Sequence, residues 1–550
     1  MLPSATANGC TYPPPGGVEL VDPESTAAGW ALARVLTATV AGLGAARVRV
    51  EADVAAALPG FSMVGLAGAT LRESRERIGR AIHNAGFGWP EGRITVSLAP
   101  AELRKDGSAM DLPIATAILM ASGQAPRPEA ALLRRTLFVG ELALDGAVRP
   151  ARGIVAMALD ARRLAADTVV VARSQAPELL DVGDVRVLSL AHLRELPGLL
   201  RELGTRRAEP PPEEGFEGPH ASSMAGVQAL GAVKGQERAV RALLVAAAGG
   251  HHILLQGPPG CGKTLLAKAL PGLLPHLEGD EAREFRRIRS CSGMPAPPPG
   301  PVSPPFRAPH HSTTSTGLVG GGRPVRAGEI TLAHGGVLLL DEIGEFGSAV
   351  LDRLREPLSD GVVRLVRGDE RLEFPARFQL VATANPCPCG WYGSELDRCR
   401  CTASVVGRYR RRLSGPLRDR IDLWVEMDRE PADRLFGPSQ VQPGLVERAR
   451  FLREGRSPEP QELDAVAREL LTELADRSGC SARGVVAVEK VARTIAALEG
   501  LTTVKAPAVA EAFTYRSVCT RLRRWPRSRG RTTGWRRSPS RSSNRGRAGR

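Results

Sequence analysis

Residues 253–264 read ILLQGPPGCGKT, a short apolar run, a glycine-rich turn, then a lysine and a threonine. Those residue types in that order can cradle a polyphosphate. Gly257, Gly260 and Gly262 permit backbone conformations that a Cβ forbids, so successive N–H groups can point at phosphate oxygens. Pro258, Pro259 and Cys261 complete the loop, and Ser, Ala or Cys would fit equally at position 261. In the G-x-x-x-x-G-K-T pattern Lys263 reaches the β- and γ-phosphates and the Thr264 hydroxyl ligates Mg²⁺. Downstream, residues 336–343 read GVLLLDEI. There Asp341 can hold Mg²⁺ through water, and Glu342 can polarise the attacking water as general base. Alone, Asp341 and Glu342 would read as a solvated helix start. Paired with the upstream loop they predict an ATP- and Mg²⁺-binding site.

These side chains need a particular scaffold. A buried strand at Ile253 to Leu255 must enter the loop, and a helix must leave it near Lys263. The four apolar residues before Asp341 predict a second buried strand ending beside the phosphate loop. An amphipathic helix from Gln236 to Ala248 precedes the first strand. After Glu342 a helix is expected over Ser348 to Leu358, and then a hairpin over Asp360 to Phe378 turning at Gly368-Asp369. Arg364, Arg367 and Arg371 on that hairpin are either nucleic-acid contacts or a solvated face. A strand from Phe378 to Ala382 leads to Asn385 and then to Cys387, Cys389, Cys399 and Cys401, spaced C-x-C, nine residues, C-x-C. Four thiolates can close a tetrahedral Zn²⁺ site. The C-x-C gap is tighter than usual, so a reduced cysteine cluster is the competing reading.

Around this core, 550 residues allow two to four domains. Hydrophobic content of 43% and charged content of 24% are ordinary for a soluble globular chain. There is no apolar run of ~20 residues and no signal-like N-terminus, so the chain is expected to be cytoplasmic with no membrane partner. The net charge of +15 is concentrated: residues 516–550 carry thirteen arginines and no acid, which leaves +2 elsewhere. Such an Arg, Ser, Gly and Pro tail cannot bury a core. It is either a nonspecific contact for DNA phosphates or a misread end of the coding region. The expected organisation is an α/β multidomain protein: a disordered leader (1–29), an α+β domain (30–200), a linker (201–226), the ATPase core (227–430, with the cysteine insertion at 387–401), an all-helical lid (431–516) and a disordered basic tail (517–550). Within the α+β domain, strands are expected over Ala46 to Val54, Arg93 to Leu98, Thr136 to Val139 and Thr168 to Val171. Helix Leu71 to Asn84 places Ile78 and Ile82 on one face.

Residues 57–115, ALPGFSMVGLAGATLRESRERIGRAIHNAGFGWPEGRITVSLAPAELRKDGSAMDLPIA, resemble the N-terminal domain of the ComM/YifB type of magnesium chelatase-like AAA+ ATPases. That domain is similar in fold to the Lon protease domain (ribosomal S5 domain 2-like). The resemblance implies an inactive protease fold. Ala109 stands at the position aligned with the nucleophilic serine, and residues 148–162 hold no lysine. Lys234-Gly235-Gln236 resembles the family's adenine-side motif. RAPHHSTTSTGLVGGGRPVRAGEITLAHGG at 307–336 resembles its signature insert, whose adjacent His310 and His311 are expected to point apart and to bind no metal. Through the same resemblance Asn385 is the polar sensor for the attacking water, Arg420 in GPLRDRIDL the finger supplied to a neighbouring subunit, and Arg483 a second sensor touching the nucleotide from the lid. The cysteines are shared with the family. The resemblance implies a homo-hexameric DNA translocase, a helicase driving branch migration during natural transformation. A chelatase-type or unfoldase-type motor acting on a protein partner is the alternative.

Overall fold

The computed structural model describes residues 31–65, 68–101, 107–183, 185–203, 228, 230–231, 233–322, 325–367, 370–393, 399–431, 443–455 and 462–523. The expected leader, most of the linker, the hairpin turn Gly368-Asp369, and the tail beyond 523 lie outside those residues. The chain divides into two compact units. One is Met1–Ala38, Arg47–Arg149 and Leu188–Arg206; the other is Thr39–Ala46, Pro150–Val187 and Arg207–Arg550.

The first unit is built on strands β1 (Ala31–Ala41), β2 (Gly44–Ala55), β3 (Gly60–Val64), β4 (Arg93–Ala99) and β5 (Thr136–Phe138), ordered β3-β4-β2-β1-β5. β2 and β4 run antiparallel, whereas β3 pairs parallel with β4 and β1 parallel with β5. Helix α1 (Gly68–Asn84) buries Ile78, Ala81 and Ile82, the three- and four-residue spacing that puts side chains on one helix face. Helix α2 (Asp111–Ala121) is buried along its whole length and apolar on every side except at Asp111 and Thr116. Arg77 meets that buried Asp111 carboxylate through Nε at 2.5 Å and Nη2 at 3.1 Å. Ala109, at the predicted nucleophile position, is itself buried.

In the second unit, residues 150–187 contribute helix α3 (Ile154–Leu159) and strand β6 (Thr168–Ala172). They join this unit through helix α6 (Gly279–Cys291), where Gly153 N–H donates to the Ser290 carbonyl at 2.9 Å. The central sheet of this unit comprises β7 (Ile253–Gln256), β8 (Phe306–Arg307), β9 (Val337–Leu340), β12 (Gln379–Ala384) and β13 (Leu423–Glu426), in the order β8-β9-β12-β7-β13 and parallel throughout. Successive residues of a strand face opposite sides. Ile253, Leu255, Val337, Leu339, Leu423 and Val425 therefore enter one core, shared with α4 (Glu237–Gly249) and the C-terminal helices. Leu254, Leu338, Leu340, Leu380 and Trp424 enter a second core on the other face. Burial on both faces explains why these strands read as continuous apolar runs.

Between β9 and β12 the expected helix Ser348 to Leu358 is two short ones, Ser348–Asp352 and Arg355–Asp360. Pro357 is the reason: its ring would clash with the Arg353 carbonyl and it has no N–H to continue the ladder. The hairpin strands β10 (Val362–Arg367) and β11 (Glu370–Pro375) pair in register, with Arg367 opposite Glu370. Helices α8 (Pro443–Arg453), α9 (Ala465–Ser478), α10 (Ala482–Leu498) and α11 (Ala506–Arg523) form the C-terminal layer. The last runs past the expected lid end at 516. Arg516, the last residue of the expected lid, is 3% exposed and donates to the Ile421 carbonyl at 2.6 Å. No helix among the described residues is long and apolar enough to cross a membrane.

Candidate nucleotide site and cysteine cluster

The phosphate loop leaves the C-terminal end of β7 and enters helix α5 (Lys263–Ala269). Gly260 and Gly262 hold φ of 79° and 90°. Gly257 is required by space: a Cβ there would lie 2.2 Å from the Met427 carbonyl oxygen. Its N–H donates to the Ala384 carbonyl at 3.1 Å, which ties the loop to the end of β12. Lys263 is buried, and its ammonium donates to the Gly257 and Pro258 carbonyls, both at 2.9 Å. Burial pushes the Cys261 thiol up, opposed by the charge of Lys263. On the side where α4 begins, Gln236 takes a left-handed φ of 57°, donates through Nε2 to the Asp428 carbonyl at 2.5 Å, and donates its backbone N–H to Glu430 Oε1 at 3.0 Å.

Strand β12 lies between β7 and β9, so the acid pair and the loop are both within reach of its end. Thr264 Oγ1 donates to Asp341, 3.0 Å from Oδ1, uniting the two predicted Mg²⁺ groups. Glu342 sits at φ 53°, ψ 52°. That left-handed conformation is uncommon for a residue with a Cβ and costs ~1–3 kcal/mol. It turns the Glu342 side chain back towards β12, where Asn385 Nδ2 donates to Glu342 Oε1 at 3.3 Å. The turn is held by a residue that sequence reading passed over. Thr383 is fully buried, donates its hydroxyl to Asp341 Oδ1 at 2.5 Å, and accepts the Glu342 N–H at 2.8 Å. A hydroxyl in an otherwise apolar strand run, two residues before Asn385, was the available signal.

Arg420 and Arg483 are not gathered here. Arg420 lies three residues before β13, whose Leu423 pairs with Ile253 at the start of β7. It therefore sits at the sheet edge opposite the phosphate loop. Its guanidinium donates to Ser359 Oγ at 2.6 Å and the Pro416 carbonyl at 2.8 Å. Burial, and then the charges of Arg483 and Arg355, draw its pKa below the ordinary arginine value. Arg483 is thus close enough to Arg420 for its charge to be felt there. Arg516 explains the proximity: it bonds Ile421 beside Arg420 and lies 3.5 Å from the Cβ position of Gly484.

On the hairpin, Arg364 is held by Glu356 at 2.9 Å, Asp360 at 3.1 Å and Glu373 at 3.4 Å, so its charge is locally balanced. Arg371 is exposed, and the Arg367 side chain lies outside the described set. His310 and His311 do not point apart: their ring centroids are 3.9 Å from one another, because the segment is a turn and not a strand.

Cys387, Cys389, Cys399 and Cys401 converge, with all four sulfurs within 4.8 Å of one another. Cys387 Sγ is 3.3 Å from Cys389 Sγ and 3.8 Å from Cys399 Sγ, and Cys389 lies 3.7 Å from Cys399. Four Zn–S bonds of ~2.3 Å at tetrahedral angles require S···S separations of about 3.8 Å. The donor set fits that ion, and all four cysteines are free thiols. The Trp391 N–H draws the Cys389 thiol down to about 6, while burial pushes the neighbouring Cys399 thiol up to about 12.

A phosphate loop, an acid pair two strands away and a polar side chain on the strand between them define a P-loop nucleotide-binding core of the AAA+-like kind. Family models agree along the chain: magnesium chelatase subunit ChlI over residues 229–435, subunit ChlI of Mg-chelatase over 50–175, and the ChlI C-terminal region over 449–516. The chain belongs to the ComM/YifB group of this magnesium chelatase-like family. It is 37% identical to YifB of Escherichia coli over 88% of this chain and 97% of that one. It is also 37% identical to the competence protein ComM of Haemophilus influenzae, over 88% and 98%. An uncharacterized protein of Mycobacterium tuberculosis is 44% identical over 72% of this chain and 77% of its own.

Proposed function

We propose that this protein is an Mg²⁺-dependent ATP hydrolase that works as a homo-hexameric ring in the cytoplasm, translocating on DNA to drive branch migration. The observation that carries the reading is the separation of the hydrolytic parts. Lys263, Thr264, Asp341, Glu342 and Asn385 gather at one edge of the sheet, while Arg420 and Arg483 sit together at the other. A guanidinium needed at the γ-phosphate must then come from a neighbouring copy. A ring satisfies that need for every subunit at once.

In the working site, Thr264 and Asp341 would hold Mg²⁺, Lys263 would leave its loop carbonyls for the phosphates, and Glu342 would take the proton of a water oriented by Asn385. The neighbour's Arg420, with Arg483 beside it, offsets charge on the transferred phosphoryl group. Arg371 and Arg367 would meet a DNA strand in the pore, while Arg364 braces the hairpin. The four cysteines would hold Zn²⁺ as a structural site. The N-terminal domain serves assembly and not proteolysis, since Ala109 is buried and carries no nucleophile. The DNA reading draws on the similarity to the competence protein.

The test is ATP hydrolysis with and without single-stranded, forked and four-way-junction DNA, with Glu342→Gln as the blank and a chain ending after Arg523 in parallel. Stimulation that follows DNA structure and survives truncation supports the translocase. Hydrolysis that ignores every DNA turns the reading to a chelatase-type or unfoldase-type motor acting on a protein.

A further inference from the structure

We infer that the four-cysteine cluster is a metal-dependent brace on the hydrolytic site, so that ATP turnover in this protein requires the metal. The inference rests on the zinc assignment proposed above and adds a regulatory role to it.

The cluster is joined to the site from both of its halves. Cys387 stands two residues after Asn385, and the intervening Pro386 has a fixed φ, so little rotation separates sulfur from sensor. Cys387 is fully buried. The turn that follows closes through the Gly390 N–H to the Cys387 carbonyl at 2.9 Å. Gly390 then rests directly on the phosphate loop. A Cβ at Gly390 would lie 2.6 Å from both Cγ and Cδ of Pro259, and its φ is 81°. The first pair of ligands is therefore packed between Asn385 and the loop that receives phosphate.

The second pair, Cys399 and Cys401, begins the segment that becomes helix α7 (Ala403–Arg411), capped by Thr402. That helix reaches the acid-pair loop. Tyr409 packs against Gly344, where a Cβ would come within 2.3 Å of its ring, and Arg412 donates to the Gly344 carbonyl. Arg410 donates to the Pro386 carbonyl at 3.4 Å and stacks over Tyr392 at 4.9 Å. One ion bound by all four sulfurs would staple the segment carrying Asn385 to the segment buttressing the turn after Glu342. Without it, that staple is four thiol groups that make only weak hydrogen bonds or, when ionised, repel. Displacing Asn385 by about an ångström costs up to ~100-fold in rate while leaving the phosphate contacts of Lys263 in place.

The test uses the full chain. Elemental analysis should find one zinc per chain, and cobalt substitution should give the visible bands of a tetrahedral thiolate site; iron with strong visible absorption, or no metal, would overturn the zinc assignment itself. The Cys399→Ser and Cys401→Ser variants, and wild type treated with a chelator that spares Mg²⁺, should lose zinc and at least about tenfold in kcat. Binding of a fluorescent ATP analogue should stay within a few-fold, and zinc should restore the chelated protein. Gly390→Ala separates brace from metal: it should keep its zinc yet lose turnover, because the added methyl pushes Pro259. Zinc lost with kcat unchanged, or Gly390→Ala retaining both, overturns the brace and leaves the zinc assignment standing.

Discussion

Thr383→Val should disable hydrolysis while sparing the fold and ATP binding. The substitution keeps side-chain volume and removes one hydroxyl that serves two partners, accepting from the Glu342 N–H at 2.8 Å and donating to Asp341 Oδ1 at 2.5 Å. The hydroxyl is buried, so water cannot readily replace it. The orphaned Glu342 N–H costs ~1–3 kcal/mol, while Asp341 keeps the Thr264 hydroxyl as a donor at 3.0 Å. The Glu342 turn already stores ~1–3 kcal/mol in its left-handed backbone, and the lost bond is one of the contacts holding it there. Relaxation to an ordinary conformation would swing the carboxylate away from Asn385. A loss of about 2–4 kcal/mol in transition-state stabilisation corresponds to roughly 30- to 1000-fold in kcat, with the dissociation constant for ATP changed far less. Stopped-flow binding of a fluorescent nucleotide and steady-state phosphate release measure the two separately. Thr383→Ser, which keeps the hydroxyl, should recover most of the rate. Wild-type kcat in Thr383→Val, with the substitution verified, would refute the claim that this hydroxyl sets the acid pair.

Three further outcomes are expected. Lys263→Ala and Arg420→Ala should each abolish hydrolysis, yet an equimolar mixture should regain activity, since about a quarter of randomly mixed interfaces pair an intact loop with an intact arginine; no recovery after verified subunit exchange would refute donation between subunits. Gly257→Ala should abolish ATP binding in equilibrium titration, because its methyl would lie 2.2 Å from the Met427 carbonyl oxygen. Acid should weaken the second unit through His251, which is buried, shares a hydrogen bond with Thr494 at 2.8 Å, and has its pKa drawn down to about 4 chiefly by burial. The unfolded chain takes up that proton first, so stability falls as pH drops from 6.5 towards 4, by about 2 kcal/mol at pH 5 relative to neutral pH. Denaturant melts of His251→Gln should show a correspondingly flatter pH dependence over that range.

Short-range pattern determined a good deal of this protein. The glycine, lysine and threonine spacing at 257–264 and the apolar run before Asp341 each demand a local conformation, and the structure has a strand, loop and helix at the first and a buried strand at the second. Amphipathic spacing likewise located α1 and α4 to within a few residues. Tertiary structure decided what local pattern cannot encode. Thr383 looks like any strand threonine until strand order sets it between the acid pair and the loop. Pro357 breaks a helix that periodicity alone extends. Arg516, at the expected boundary between lid and basic tail, is claimed by a buried carbonyl at Ile421. Arg420 and Arg483 are sixty-three positions apart in the chain, so only folding could place them beside one another and away from the loop of their own subunit. Spacing along a chain specifies contacts between near neighbours, whereas the meeting of distant residues depends on which strands pair and in what order.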